Sequence, residues 1–201
     1  MKKLIILFIL LNFSISVYGA EKNIKQNSDE KLILPFTIGA LGFGYISTSP
    51  DSNLLGNGGG AGINFKYNVN KYFALGLEGD ITASRNGTNS TTFGGVRFLL
   101  IAQNETAKDK NGFVPWGAFA LGTLMGNGSY ENGTFNYKNF SGFDISLMIG
   151  LRYNYKRAYF GIGADFTYGE TIAEVQAAEL YPNQDFFIIG TNIFLEAGYR
   201  F

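Results

Sequence analysis

Phe186–Phe201 reads FFIIGTNIFLEAGYRF, and its alternation decides how the rest of the chain is read. Counting back from Phe201 by twos gives Tyr199, Ala197, Leu195 and Ile193, an apolar face without charge. The intervening positions are Arg200, Gly198, Glu196 and Asn192, with Phe194 the one large apolar exception. A period of two, with charge on one side and hydrocarbon on the other, describes a strand standing between two different solvents.

Upstream, segments of about ten residues repeat this pattern, separated by polar stretches rich in Gly, Asn and Ser. Ile63, Phe65 and Tyr67 alternate with Asn64, Lys66 and Asn68, and a tight turn at 68–71 leads into the next segment. There Phe73, Leu75, Leu77 and Ile81 oppose Glu78, Asp80 and Thr82. Val96, Phe98 and Leu100 oppose Arg97. Phe143, Ile145, Leu147, Ile149, Leu151 and Tyr153 oppose Asp144, Ser146, Gly150, Arg152 and Asn154. Phe160, Ile162, Ala164 and Phe166 oppose Gly161, Gly163, Asp165 and Thr167. The segments 35–48 and 113–125 also read as strands, but they are apolar on both faces and their register stays open.

Nine strand charges therefore lie opposite the aliphatic face: Lys66, Glu78, Asp80, Arg97, Asp144, Arg152, Asp165, Glu196 and Arg200. Lipid outside and ion pairs inside produce this arrangement. A soluble β-sandwich would show the same strands with the apolar face buried. Three features favour the membrane: a leader at the amino-terminus, the terminal aromatic, and Tyr67, Phe73, Tyr153, Phe160 and Tyr199 gathered towards one rim as an interfacial girdle.

The leader is Lys2 and Lys3 followed by the apolar Leu4–Leu11, with Val17 and Gly19 at the small-residue positions of a cleavage site. A membrane helix needs roughly 18 or more consecutive apolar residues, which this stretch lacks. The expected organisation is a signal peptide at 1–19, a periplasmic lead-in at 20–34 and a barrel at 35–201. Aromatics make up 16% of the chain and charged residues 16%, against about 25% charged in average soluble domains. The 16 basic and 16 acidic residues cancel, so nothing argues for nucleic acid. The absence of cysteine excludes disulfides, thiolate metal sites and a lipid anchor.

Turns at 69–71 and 154–158 are short, whereas 49–60, 85–92, 126–140 and 169–184 read as longer polar loops. An even strand number with both termini in the periplasm puts the short turns inside and the long loops outside. Residues 103–112 (QNETAKDKNG) then form a periplasmic link, longer than such links usually are. Residues 170–180 (ETIAEVQAAEL) contain good helix formers, enough for one or two helical turns.

On the barrel pattern, the hairpin YNVNKYFALGLEGD, the strands GVRFLL and VPWGAFALG, and the terminal EAGYRF, residues 35–201 resemble the small eight-stranded outer-membrane barrels. These include the opacity and attachment–invasion proteins and the membrane domain of the major porin-like structural protein. The resemblance implies an all-β fold, an eight-stranded antiparallel transmembrane β-barrel in up-and-down meander order. It implies Tyr199 and Phe201 as the carboxy-terminal assembly signal. It further implies location in the outer membrane of a Gram-negative-type bacterium after Sec export, with outer-membrane lipid and the barrel assembly machinery as partners and no cofactor.

The functional expectation is a non-enzymatic surface protein acting in envelope structure or adhesion, with loops meeting a host or environmental ligand. The loops are rich in hydrogen-bonding side chains, and Asn86, Asn89, Asn127 and Asn132 begin Asn-x-Ser/Thr triplets that read as composition rather than glycosylation. Known outer-membrane lipid A deacylases, acyltransferases, phospholipases and proteases use histidine, and this chain has none. Glu78 and Asp80 share one strand face, which permits acid–base chemistry, but lumenal pairing with Lys66, Arg97 or Arg152 is the simpler reading. An eight-stranded barrel is just wide enough for side chains to fill, so a narrow or gated pore is the first alternative. A soluble periplasmic or lipid ligand-binding barrel, with charge outside and an apolar pocket inside, is the second.

Overall fold

Eight antiparallel strands close on themselves in sequence order, β1 next to β8. The computed structural model describes residues 33–48, 55–87, 89–107, 110–129, 137–175 and 183–201. The expected signal peptide at 1–19 and nearly all of the lead-in at 20–34 lie outside them. The strands are β1 (Phe36–Ser47), β2 (Asn57–Asn68), β3 (Phe73–Asn86), β4 (Asn89–Gln103), β5 (Gly112–Ser129), β6 (Tyr137–Tyr155), β7 (Ala158–Val175) and β8 (Asn183–Arg200).

Closure depends on the two ends of the sheet. Thr37 faces Arg200 across the β1–β8 seam. Beyond it the Phe36 and Phe201 amides each donate to the other's carbonyl, at 3.0 and 2.9 Å. The seam completes the backbone ladder, so the sheet keeps no free edge.

The open register of the two ambiguous strands is settled by closure. In β1, Thr37, Gly39, Leu41, Phe43 and Tyr45 point inward, while Phe36, Ile38 and Ile46 point outward. In β5, Val114, Trp116, Ala118, Ala120 and Leu124 are buried and Phe113, Phe119, Leu121 and Met125 are exposed. Both strands read as apolar on two faces because the inner face at these positions packs hydrocarbon and aromatic rings rather than ions.

The polar stretches are more regular than their composition indicates. Residues 85–86 and 89–92 belong to β3 and β4, and at the end of β3 Gly87 adopts φ +61°, a left-handed conformation open to glycine without steric cost. Residues 57–60, 126–129, 137–140, 169–175 and 183–184 are likewise strand. Of the segment 170–180 expected to form helical turns, 170–175 continue β7, where Glu170 pairs with Phe187 and Ile172 with Asp185, and 176–180 lie outside the described residues. A neighbouring strand satisfies every backbone group at once, which outweighs the modest helix propensity of one short segment.

Candidate functional site: the barrel interior

Inward-facing residues sort into charged layers and apolar layers. The central charged layer surrounds Arg97. Alternation along β3 carries Glu78 and Asp80 to the same side, and β4 sets Arg97 directly opposite Glu78. Arg97 Nη2 donates to Glu78 Oε1 at 2.8 Å and to Asp80 Oδ2. Its Nη1 donates to Asp165 Oδ2 at 2.8 Å and to Ser146 Oγ at 3.1 Å, with Asp144 Oδ2 at 3.8 Å. Thr167 Oγ1 and Asn192 Nδ2 also donate to Asp165, at 3.0 and 3.1 Å. One guanidinium thus serves four carboxylates, of which Glu78, Asp144 and Asp165 are buried and the Asp80 side chain is 9% exposed.

A second layer lies towards the short turns. Lys66 Nζ donates to Glu196 Oε2 at 3.0 Å, and its ammonium sits 5.1 Å from the Trp116 ring. Below this pair, residues from the β4–β5 link cross the mouth of the barrel. Glu105 is 1% exposed. It accepts from Arg152 Nη2 at 2.5 Å and from Asn154 Nδ2 at 2.6 Å, and Arg200 Nη2 lies 3.7 Å away. Arg200 also donates to the Thr106 carbonyl at 3.0 Å and to Thr106 Oγ1 at 3.2 Å. The Glu105 amide is held by the Lys71 carbonyl at 2.8 Å. These contacts draw β4, β6 and β8 together across the turn-side opening and make a floor.

Glu105 is the residue that strand alternation does not reach, because it lies beyond the end of β4. The one signal for it was the excess length of 103–112. It also changes the pairing. Glu78 and Asp80 take Arg97, whereas Lys66 is committed to Glu196 and Arg152 to Glu105. The charges segregate: one cation and four anions around Arg97, three cations and two anions from Glu196 down to the floor.

Apolar layers separate and cap the ions. The Trp116 and Phe194 rings lie 6.0 Å apart, tilted by 36°, beside Met148, Leu99 and Ile101. Phe194, the exception in the terminal strand, fills the interior at 4% exposure. Glycines make this possible: a Cβ on Gly150 would lie 2.7 Å from the Trp116 ring, and one on Gly163 would lie 2.4 Å from Phe194. On the loop side of Arg97, Tyr45 meets Phe93 edge-on at 5.4 Å, packed with Leu124, Phe140 and Ile188.

The outer surface is its opposite. In β6 the outward positions from Tyr153 to Phe143 are all apolar, and Ser141 and Asn139 follow as exposed polar residues. At the short-turn end, Phe36, Tyr67, Phe73, Phe113, Tyr153, Phe160, Tyr199 and Phe201 are all exposed. Phe36 lies 5.4 Å from Tyr67 and 6.0 Å from Phe201, and Phe113 lies 5.0 Å from Tyr153. Such a band with an aromatic rim is matched to hydrocarbon and its interface rather than to water.

The same fold occurs in solved outer-membrane barrels. Neisserial surface protein A aligns over 83% of this chain and 97% of its own, with a TM-score of 0.57 at 14% identity. The attachment invasion locus protein of Yersinia pestis aligns over 83% and 99%, with a TM-score of 0.51 at 16% identity. Outer membrane protein OprG from Pseudomonas aeruginosa aligns over 84% and 98%, with a TM-score of 0.52 at 11% identity. No protein-family model matches the chain, and no curated protein matches it in sequence. The architecture is therefore that of the small eight-stranded outer-membrane barrels, reached through a sequence far from these examples.

Proposed function

We propose that this protein is a non-enzymatic barrel of the Gram-negative outer membrane, exported by the Sec route, that holds surface hairpins for contact with a host or environmental partner. One observation carries the reading: the interior is filled and floored, while the strands outrun the membrane on the loop side. A transmembrane strand needs about 9–11 residues, and β5 to β8 have 18, 19, 18 and 18. On the loop side of β3 to β6, past the apolar band, Arg85, Ser90, Thr92, Asn127 and Asn139 are exposed. A stiff ladder with polar side chains on its outer face offers hydrogen-bonding groups at little entropic cost. Two of the similar folds bear "surface" and "attachment invasion" in their names, which agrees with this role. Outer-membrane lipid covers the band, and the assembly machinery reads Tyr199 and Phe201 at the carboxy-terminus.

The test is to cut the β3–β4 and β5–β6 hairpins back to the edge of the apolar band and measure adhesion of intact cells to host cells and matrix proteins. Reduced adhesion with unchanged outer-membrane abundance supports the reading. Unchanged adhesion, with greater sensitivity of the envelope to detergent on deletion of the whole protein, moves the role to envelope structure.

A further inference from the structure

The three turn-side connections carry charge of one sign on their outer surface. Lys71 sits between β2 and β3, Lys110 between β4 and β5, and Lys156 and Arg157 between β6 and β7; all four are exposed. Among the described residues no exposed Asp or Glu side chain lies at this end, where Glu105 is turned inward. Lys71, Lys110 and Lys156 have no carboxylate partner among the described residues. The charges at 20–32 and 108–109, outside the described residues, cancel in the sequence. Three of the four cations lie against tyrosine: Lys71 Nζ is 5.5 Å from the Tyr72 ring and Lys156 Nζ 5.7 Å from the Tyr155 ring, and Arg157 Nη1 donates to the Tyr199 hydroxyl at 3.4 Å.

Distance decides what these cations face. Lys71 is two residues beyond Phe73 of the aromatic rim and Lys156 three beyond Tyr153, at most about 7 to 10 Å at strand rise. The headgroup region adds roughly 5–8 Å to each side of the hydrocarbon core, so the cations stand at the level of lipid phosphates. We infer that this belt binds the phosphates of anionic glycerophospholipids in the turn-side leaflet, with the tyrosines against the glycerol region. A zwitterionic headgroup brings its own ammonium to its phosphate, whereas an anionic one leaves the phosphate to lysine and arginine. Among the side chains described on the loop side, Arg85 alone is an exposed cation, and its Nε donates to the Gly87 carbonyl at 3.0 Å. The belt therefore belongs to one leaflet. The inference rests on the membrane reading and is independent of what the hairpins bind.

The experiment inserts the full barrel into phosphatidylcholine vesicles carrying traces of spin-labelled phosphatidylglycerol or spin-labelled phosphatidylcholine, and reads the motionally restricted share of each label by electron paramagnetic resonance. Wild type is expected to prefer phosphatidylglycerol about three-fold or more at low salt, falling towards parity in about 1 M salt. Combining Lys71→Gln, Lys110→Gln, Lys156→Gln and Arg157→Gln removes most of the preference, and Arg85→Gln leaves it intact. The floor and the seam use only backbone groups of Lys71, Lys156 and Arg157, so the combined variant still closes, as a heat-shifted gel band checks. The inference is overturned if inserted wild type shows no preference, if the folded combined variant keeps it, or if Arg85→Gln removes it equally. Failure to enter any vesicle is a different result, and it overturns the membrane reading itself.

Discussion

Removing the Arg97 guanidinium leaves Glu78 without the cation that pairs with it, takes an ion-pair partner from Asp80, Asp144 and Asp165, and crowds four carboxylates in the interior. Breaking a buried ion pair from one side costs about 3–5 kcal/mol because the remaining charge is left uncompensated. Arg97→Ala is therefore expected to unfold at clearly lower temperature or denaturant concentration in micelles. In planar bilayers it should raise cation conductance, since the variant loses both a bulky side chain and a positive charge. Equal stability and equal conductance would show that the layer is held by something other than this residue. Gly150 supplies a steric counterpart. Its missing Cβ is where the Trp116 ring lies, so Gly150→Val must displace the indole at a cost of about 1–3 kcal/mol, measurable by chemical denaturation of the refolded barrel.

Strands and their links set which residues share an environment. Ile149 in β6 is 61% exposed in the middle of the outward band, and Gly150 beside it faces in. An arginine on the lipid face of a barrel strand near the midplane costs about 2–4 kcal/mol, so Ile149→Arg should lower folding efficiency into lipid vesicles. Normal insertion would place this face in water and overturn the membrane reading. The link between β4 and β5 acts as an element in its own right. Glu105 ties it to Arg152, Asn154 and Arg200, and Glu105→Ala removes the anion between two guanidiniums. The floor should loosen, seen as faster proteolysis within 104–111 from the turn side and a small rise in conductance. Protection equal to wild type would mean that the Thr106 contacts alone suffice.

At the scale of the whole molecule, the closed ladder and the paired interior act together. Every strand has two neighbours, so no strand can peel away without breaking a full row of hydrogen bonds. Unheated protein should run at a different apparent mass from boiled protein on an SDS gel, with the unheated form resistant to protease across the strands. Identical mobility, with the protein in the soluble periplasmic fraction, would revive a soluble ligand-binding barrel. The interior carries a charge gradient as well, acidic around Arg97 and basic from Lys66 to Arg200. Any residual permeation in a loosened variant should therefore favour cations on the loop side.

Alternation in the chain was enough to put Lys66, Arg97 and Arg152 opposite the aliphatic face of their strands, because a period of two is a local property of each segment. The strand number and meander order were legible only through chain length and the resemblance to small outer-membrane barrels. Phe194 and Trp116 were visible only as irregularities, since their inward packing requires the glycines of other strands. Register in β1 and β5 was illegible for the same reason: both faces are apolar, and only closure against β8 and β6 assigns one to the interior. The polar hairpin arms were hidden by a composition that suits a loop and a solvated ladder equally. Glu105 and the floor, and the assignment of each cation to its anion, were decided by tertiary structure alone. They depend on distances across the barrel between residues tens of positions apart, and the pattern within any one strand does not contain those distances.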